Sequence, residues 1–230
     1  MRQMESERFE VENRDCFAFF EADPACVIVQ PADSREAEGL YHEAETVFDG
    51  SGCPLLICFF CVESWNADLS LWDSPPVFGK ESFGHGAFET LTFISEKLLP
   101  YVRDRYNVSG DVPVVLGGYS LAGLFALWSA YQTDAFKAVA AVSPSVWFPG
   151  WMEYAALNEC KTENVYLSLG NKEEKAKNKV MASVGECIRR QYGLLQDAGV
   201  RCVLEWNEGN HFRDPSGRSA KGILWCVDSI

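Results

Sequence analysis

A serine placed between a strand-like run and a helix-like run is the feature that most constrains this chain. Residues 112–116 form an apolar run of strand length, and residues 121–132 have the composition of a buried helix. The pentapeptide GYSLA lies between them at residues 118–122. A sharp strand-to-helix turn requires small residues two positions before and after its central serine, and here these are glycine and alanine. The pattern predicts that Ser120 is an exposed nucleophile at the end of a strand.

Apolar runs of strand length alternate with segments of helical periodicity along the chain. The predicted strands cover residues 8–11, 16–21, 26–30, 55–62, 112–116, 138–142, 165–169 and 201–206. The predicted helices cover residues 34–48 (with Ser34 as the N-cap), 86–106, 121–132, 180–197 and a final segment near the C terminus. This alternation is typical of a mostly parallel sheet that helices cover on both faces. We expect a single domain over residues 1–230, with about eight strands.

Charge and composition argue against several classes of partner. The formal net charge is −13, whereas nucleic acids and anionic membranes both favour basic surfaces. The first eight residues lack the apolar core of a signal peptide, and no apolar run is long enough to span a membrane. We therefore predict a cytoplasmic protein that binds neither nucleic acid nor membrane. The sequence does not predict its oligomeric state.

The nine cysteines raise the question of a metal cluster. Cys53, Cys58 and Cys61 have the C-x4-C-x2-C spacing of one iron–sulfur class. They fall in or beside a predicted strand, on which Cys58 and Cys61 face opposite sides. Cys53 and Cys61 would stand roughly 26 Å apart along that strand, so the three thiols cannot converge. We interpret the cysteines as structural residues and predict no metal site.

A serine hydroxyl needs a neighbouring base, and the chain has only three histidines. His42 falls on the polar side of its predicted helix and is interpreted as a surface residue. His85 precedes a predicted helix and is interpreted as packing at its start. His211 follows the strand at residues 201–206, and loops at the carboxyl ends of parallel strands line the site in open α/β sheets. We therefore predict that His211 is the general base.

The base in turn needs a carboxylate that orients its ring. The loop after the strand at residues 138–142 contains no acidic residue, whereas the loop after residues 165–169 contains Glu173 and Glu174. Adjacent residues point in different directions, so only one of the two suits the role. We favour Glu173 and keep Glu174 as the alternative acid.

Nucleophilic attack by a serine on a carbonyl also needs backbone N–H groups that bind the oxyanion of the tetrahedral intermediate. The N–H of Leu121 is predicted to be the first donor, because it lies at a helix N-terminus. The second is expected in the loop after residues 55–62, at Trp65 or a direct neighbour. That loop opens a Trp-rich stretch, residues 63–84, which has no clear periodicity and is long enough to suggest a functional role. The residues assigned to the substrate pocket are Asn66, Tyr119 and Trp147.

Two stretches resemble a known family. GGYSLAG at residues 117–123 and AVSPSVW at residues 141–147 are similar to the Putative esterase family of α/β-hydrolases, which contains esterase D, enterochelin (siderophore) esterases and feruloyl esterases. GNKE at residues 170–173 and NHF at residues 210–212 resemble its acid and histidine loops. The resemblance spans roughly residues 54–228. One departure is the alanine that replaces the last glycine of the serine pentapeptide.

The resemblance implies an α/β-hydrolase fold, a triad of Ser120, Glu173 and His211, no cofactor, and hydrolysis of a small-molecule carboxylic ester. The length of the chain leaves little room for a large lid domain. Some relatives manage with a Ser–His dyad, so the need for the acid stays open. An acyltransferase or thioesterase on the same fold is an alternative, and a non-catalytic binding protein on a hydrolase scaffold is another.

Overall fold

The computed structural model describes residues 4–33, 37–77 and 79–230, and these residues form one eight-stranded sheet. The strands are β1 Glu5–Val11, β2 Arg14–Phe20, β3 Cys26–Ala32, β4 Leu55–Cys61, β5 Val114–Tyr119, β6 Ala138–Val142, β7 Asn164–Gly170 and β8 Arg201–Asn207. Their order in the sheet is β1-β2-β4-β3-β5-β6-β7-β8. The β1–β2 and β2–β4 pairings are antiparallel and all the others are parallel, so the predicted mostly parallel sheet is confirmed.

Helices connect most of the strands. They are α1 Ala37–Gly50, α2 Trp65–Asp68, α3 Ala87–Phe93, α4 Leu99–Arg105, α5 Leu121–Gln132, α6 Trp151–Leu157, α7 Lys179–Ala182, α8 Val184–Asp197 and α9 Pro215–Val227. A π-helical turn, Ile94–Leu98, joins α3 to α4. The short helices α2 and α6 were not predicted, because both lie in aromatic segments without a helical apolar period. The predicted N-cap at Ser34 lies outside the described residues.

Both faces of the central strands β3 to β7 are buried, which explains why these strands read as largely continuous apolar runs. Alternate residues of β3 point to opposite faces, so Ile28 packs in one core while Val27 and Val29 pack in the other. Helices α1 and α9 cover the Ile28 face. Helices α3, α4, α5 and α8 cover the opposite face. The predicted α/β arrangement with helices on both sides of the sheet is therefore confirmed.

The carboxyl ends of β5, β6, β7 and β8 lie side by side along one edge of the sheet, because these four strands are parallel neighbours. Chain turns at this edge carry Ser120, Ser143, Glu173 and His211. Residues that are far apart in the sequence therefore meet at one place.

Within the described ranges, no helix combines the length and apolar character needed to cross a bilayer.

Candidate active site

Ser120 occupies the turn between β5 and α5, with φ 60° and ψ −120°. A positive φ at a residue other than glycine is strained, and such residues cluster at functional sites. Position 118 must be glycine, because a Cβ there would lie 2.2 Å from the carbonyl oxygen of Ala122. Strand β5 runs to Tyr119, three residues beyond its predicted end, since its two glycines pair in register with β6.

His211 lies in the loop after β8 and contacts both partners that the sequence analysis assigned to it. Its Nε2 atom is 3.0 Å from the Oγ atom of Ser120, and its Nδ1 atom is 2.7 Å from Oε2 of Glu173. A carboxylate can only accept a hydrogen bond, so Nδ1 carries the proton and donates it. Nε2 is thereby left to accept a hydrogen bond from the serine hydroxyl.

Glu173 is buried, with 7% of its surface exposed. Its Oε1 atom accepts hydrogen bonds from the Ser143 hydroxyl at 2.9 Å and from the Gly170 N–H at 2.7 Å. The guanidinium of Arg218 lies 3.4 Å from the same oxygen. Removing a carboxylate from water is unfavourable unless such donors replace the water. The donors therefore fix the carboxylate in one orientation, with Oε2 facing the imidazole.

Glu174, the alternative acid, has different surroundings. Its carboxylate forms an ion pair with Arg189 of α8 at 3.0 Å, and 36% of its side chain is exposed. A 3-10 turn, Glu173–Lys175, separates the directions of the two neighbouring side chains. Of the two glutamates, Glu173 is the one that contacts the imidazole.

Arg218 belongs to the site and was missed by the sequence analysis. It lies on α9 and is only 3% exposed. Besides Glu173, its Nη1 atom contacts the hydroxyls of Tyr119 and Ser143 at 3.3 and 3.5 Å, and Nη2 donates to the carbonyl of Glu208 at 2.8 Å. One signal was present in the sequence: Arg218 lies four and eight residues before Gly222 and Cys226, on the buried stripe of α9.

Tyr119 was assigned to the substrate pocket, and it also contacts the histidine loop. Its hydroxyl donates a 2.5 Å hydrogen bond to the main-chain carbonyl of His211. Burial is the largest cause of a raised pKa at this phenol, which keeps it protonated as a donor. The backbone of the histidine loop is therefore attached to the residue that precedes Ser120.

The two predicted oxyanion donors each occupy the first position of a helix, Leu121 in α5 and Trp65 in α2. The first N–H groups of a helix have no intrahelical acceptor, so they are available to a ligand. The strand that precedes Trp65, β4, is not the neighbour of the serine strand, because β3 lies between β4 and β5. Strand β3 leads into Asp33, which lines a cavity together with Trp65 and Ser120.

Two cavities meet at Ser120. The larger has a volume of about 770 Å³ and includes Trp147, one of the predicted pocket residues. The smaller has a volume of about 370 Å³ and includes Tyr119. Asn66, the third predicted pocket residue, lines neither of them, and its carbonyl accepts a hydrogen bond from the N–H of Gly84. Ser120, His211 and Phe212 line both cavities.

The other two histidines lie elsewhere. His42 is exposed on α1, as expected. The side chain of His85 is 72% exposed and pairs with Asp73 at 3.0 Å, so the prediction that it packs at a helix start is wrong.

Cys58 and Cys61 are buried in β4. Among the described residues, no group of three or more His, Cys, Asp or Glu side chains is arranged to hold a metal ion.

The strand order, together with a strained serine between a central parallel strand and its following helix, defines an α/β-hydrolase fold. A family model described as Putative esterase matches residues 62–200, which is more than half of the chain. The chain belongs to this esterase family, and ester hydrolysis is accordingly its class of reaction. No curated protein sequence matches the chain significantly.

Solved structures support the same fold. A siderophore hydrolase, EstA from Aspergillus nidulans, is 19% identical with a TM-score of 0.73, and the match covers 99% of this chain and 95% of that chain. An IroE-like serine hydrolase from Shewanella oneidensis is 16% identical with a TM-score of 0.74, covering 99% and 79%. The enterobactin esterase of Shigella flexneri is 14% identical with a TM-score of 0.68, covering 98% and 59%.

Proposed function

We propose that this protein is a serine esterase that hydrolyses a small-molecule carboxylic ester through Ser120, His211 and Glu173. The observation that carries the proposal is the continuous line of hydrogen bonds from the Ser120 hydroxyl through the imidazole to the Glu173 carboxylate. Siderophore esters are one substrate class to test, because two structural relatives are named as a siderophore hydrolase and an enterobactin esterase.

In this mechanism, Nε2 of His211 removes the hydroxyl proton as Oγ of Ser120 attacks the ester carbonyl. Glu173 holds the imidazole in the required tautomer and stabilises the imidazolium that forms. The imidazolium then gives its proton to the departing alcohol, which leaves an acyl group on Ser120. Water, deprotonated by His211, releases the acid and restores the serine.

The oxyanion that forms during attack needs preorganised donors. We assign the first to the N–H of Leu121, which directly follows the nucleophile at the start of α5. For the second we keep the N–H of Trp65 and add that of Asp33, because β3 is the hydrogen-bonded neighbour of β5. Both residues line the smaller cavity beside Ser120.

A fluorophosphonate probe followed by peptide mass spectrometry tests the nucleophile. We expect one adduct, on Ser120, and no labelling or ester turnover in the Ser120→Ala variant. Ser129→Ala is a matched control, because that hydroxyl bonds to the Phe125 carbonyl within α5. Labelling that survives Ser120→Ala would refute the assignment.

We also propose that residues 1–230 form one domain and that the protein is cytoplasmic. A single sheet whose strands run from Glu5 to Asn207, with α9 packed on β5 and β6, supports the first point. Nine free cysteines suit a reducing compartment, which supports the second. A single cooperative unfolding transition and fractionation of the source cells are the respective tests.

A further inference from the structure

The larger cavity beside Ser120 differs in charge from the protein as a whole. The chain has 33 acidic residues and 20 lysines and arginines, yet Lys172, Lys175 and Lys177 all line this cavity. Other lysines in the described part of the chain form ion pairs, but none of these pairs includes Lys172, Lys175 or Lys177. The carboxylate of the cavity, Glu173, is already engaged by His211 and donors behind it. These three lysines therefore give the cavity a positive charge that no ion pair within the described ranges neutralises.

The rest of the lining is largely apolar. Trp147, Met181, Val184 and Phe212 contribute to it. Phe212 is 82% exposed although it lies next to the reactive histidine. Binding sites for small molecules combine apolar walls with a few polar groups that determine specificity. A ligand with a hydrophobic body and a negatively charged group would match both parts of this lining.

We propose that the preferred substrate of this esterase carries a negative charge on the part of the ester that occupies the larger cavity. This inference rests on the proposed ester hydrolysis at Ser120. Clustered cations concentrate an anionic substrate at the cleft and favour its bound state. The three lysines are exposed to solvent, so each contributes a modest effect that salt weakens. Together we expect a preference of about tenfold.

Matched pairs of esters test the preference on each side of the scissile bond. In the first pair the acyl part ends in a carboxylate or in the isosteric amide: the mono-4-nitrophenyl ester of glutaric acid and 4-nitrophenyl 4-carbamoylbutanoate. In the second pair the alcohol part carries the same difference: 3-acetoxybenzoate and 3-acetoxybenzamide. We expect kcat/KM to be about tenfold higher for the carboxylate in at least one pair at low ionic strength, with the ratio falling as salt is added.

The triple variant Lys172→Gln, Lys175→Gln, Lys177→Gln should bring that ratio close to one. Lys179→Gln is the matched control, because Lys179 is exposed on the same segment and does not line the cavity. It should keep the wild-type ratio. Fluorophosphonate labelling of the triple variant verifies that its active site is still folded.

Two results would overturn the inference and leave the proposed function intact. One is Ser120-dependent hydrolysis of the amide esters without any preference for a carboxylate. The other is a carboxylate preference that persists in the labelled triple variant. If the wild-type protein hydrolyses none of the four esters and does not react with the fluorophosphonate, the proposed function itself fails.

Discussion

The loop after β7 contains two neighbouring glutamates, Glu173 on its inner side and Glu174 on its outer side. On the inner side, Glu173 is buried among a hydroxyl, a backbone N–H, a guanidinium and the imidazole. On the outer side, Glu174 is partly exposed and pairs with Arg189. The contrast teaches that the surroundings of a carboxylate, rather than its presence in a loop, fit it to orient a histidine.

The largest expected effect comes from the inner carboxylate. Glu173→Gln should lower kcat by about 10³- to 10⁴-fold, because an amide neither selects the Nδ1–H tautomer reliably nor stabilises the imidazolium. Steady-state hydrolysis of a 4-nitrophenyl ester measures this loss. A decrease of less than tenfold would contradict the role given to Glu173 and favour a Ser–His dyad.

Arg218→Met tests how much the buried guanidinium beside Glu173 stabilises the protein. The substitution leaves Glu173 without a buried cationic neighbour and the Glu208 carbonyl without its donor. We expect the free energy of unfolding to fall by about 3 kcal/mol, the scale for breaking a buried ion pair. Urea denaturation monitored by tryptophan fluorescence measures it. Arg190→Met, at an exposed position of α8, is the control and should change stability by less than about 0.5 kcal/mol.

A smaller effect is expected from Ser143→Ala. This variant removes one of the hydrogen bonds to Glu173 Oε1 and leaves the Gly170 N–H in place. A single hydrogen bond of this kind contributes on the order of 1 kcal/mol, so kcat should fall about fivefold. Ser145→Ala, two residues along the same loop, should have a smaller effect than Ser143→Ala. Equal losses in the two variants would show that the hydroxyl at 143 has no special role.

The smallest effect belongs to the outer side. Glu174→Gln breaks an ion pair whose side chains are 36% and 53% exposed, and such pairs contribute little. Turnover should stay within about twofold of the wild-type value, and stability within about 0.5 kcal/mol. A loss comparable to that of Glu173→Gln would erase the distinction between the two sides of the loop.

Much of the fold could be predicted because strand-length apolar runs are a strong signal in a sheet buried on both faces. All eight predicted strands correspond to observed ones, although β5 continues through two glycines that usually end a strand. Helix α6, Trp151–Leu157, escaped prediction because it is only seven residues long and lies in an aromatic segment without a clear helical period. The position of Ser120 at a strand-to-helix turn could be predicted because the requirement for small flanking residues is local.

The parts that could not be predicted depend on tertiary structure. Whether Glu173 or Glu174 faces the imidazole depends on how one 3-10 turn orients the two side chains, and the sequence does not determine that orientation. The sequence also does not show which strand lies beside β5, because β3 and β4 exchange order in the sheet. Arg218 was missed because its partners in the site precede it in the sequence by 10 to 99 positions.

The hydrogen bond from Tyr119 to the histidine carbonyl has a mechanical consequence. Tyr119 is covalently joined to Ser120, so its hydrogen bond connects the turn that holds Ser120 to the backbone of His211. We expect this link between the serine turn and the histidine loop to limit variation in the distance between Ser120 Oγ and His211 Nε2. Phenylalanine at position 119 would uncouple them, and the resulting spread in their separation should appear as broadened or doubled imidazole resonances in NMR.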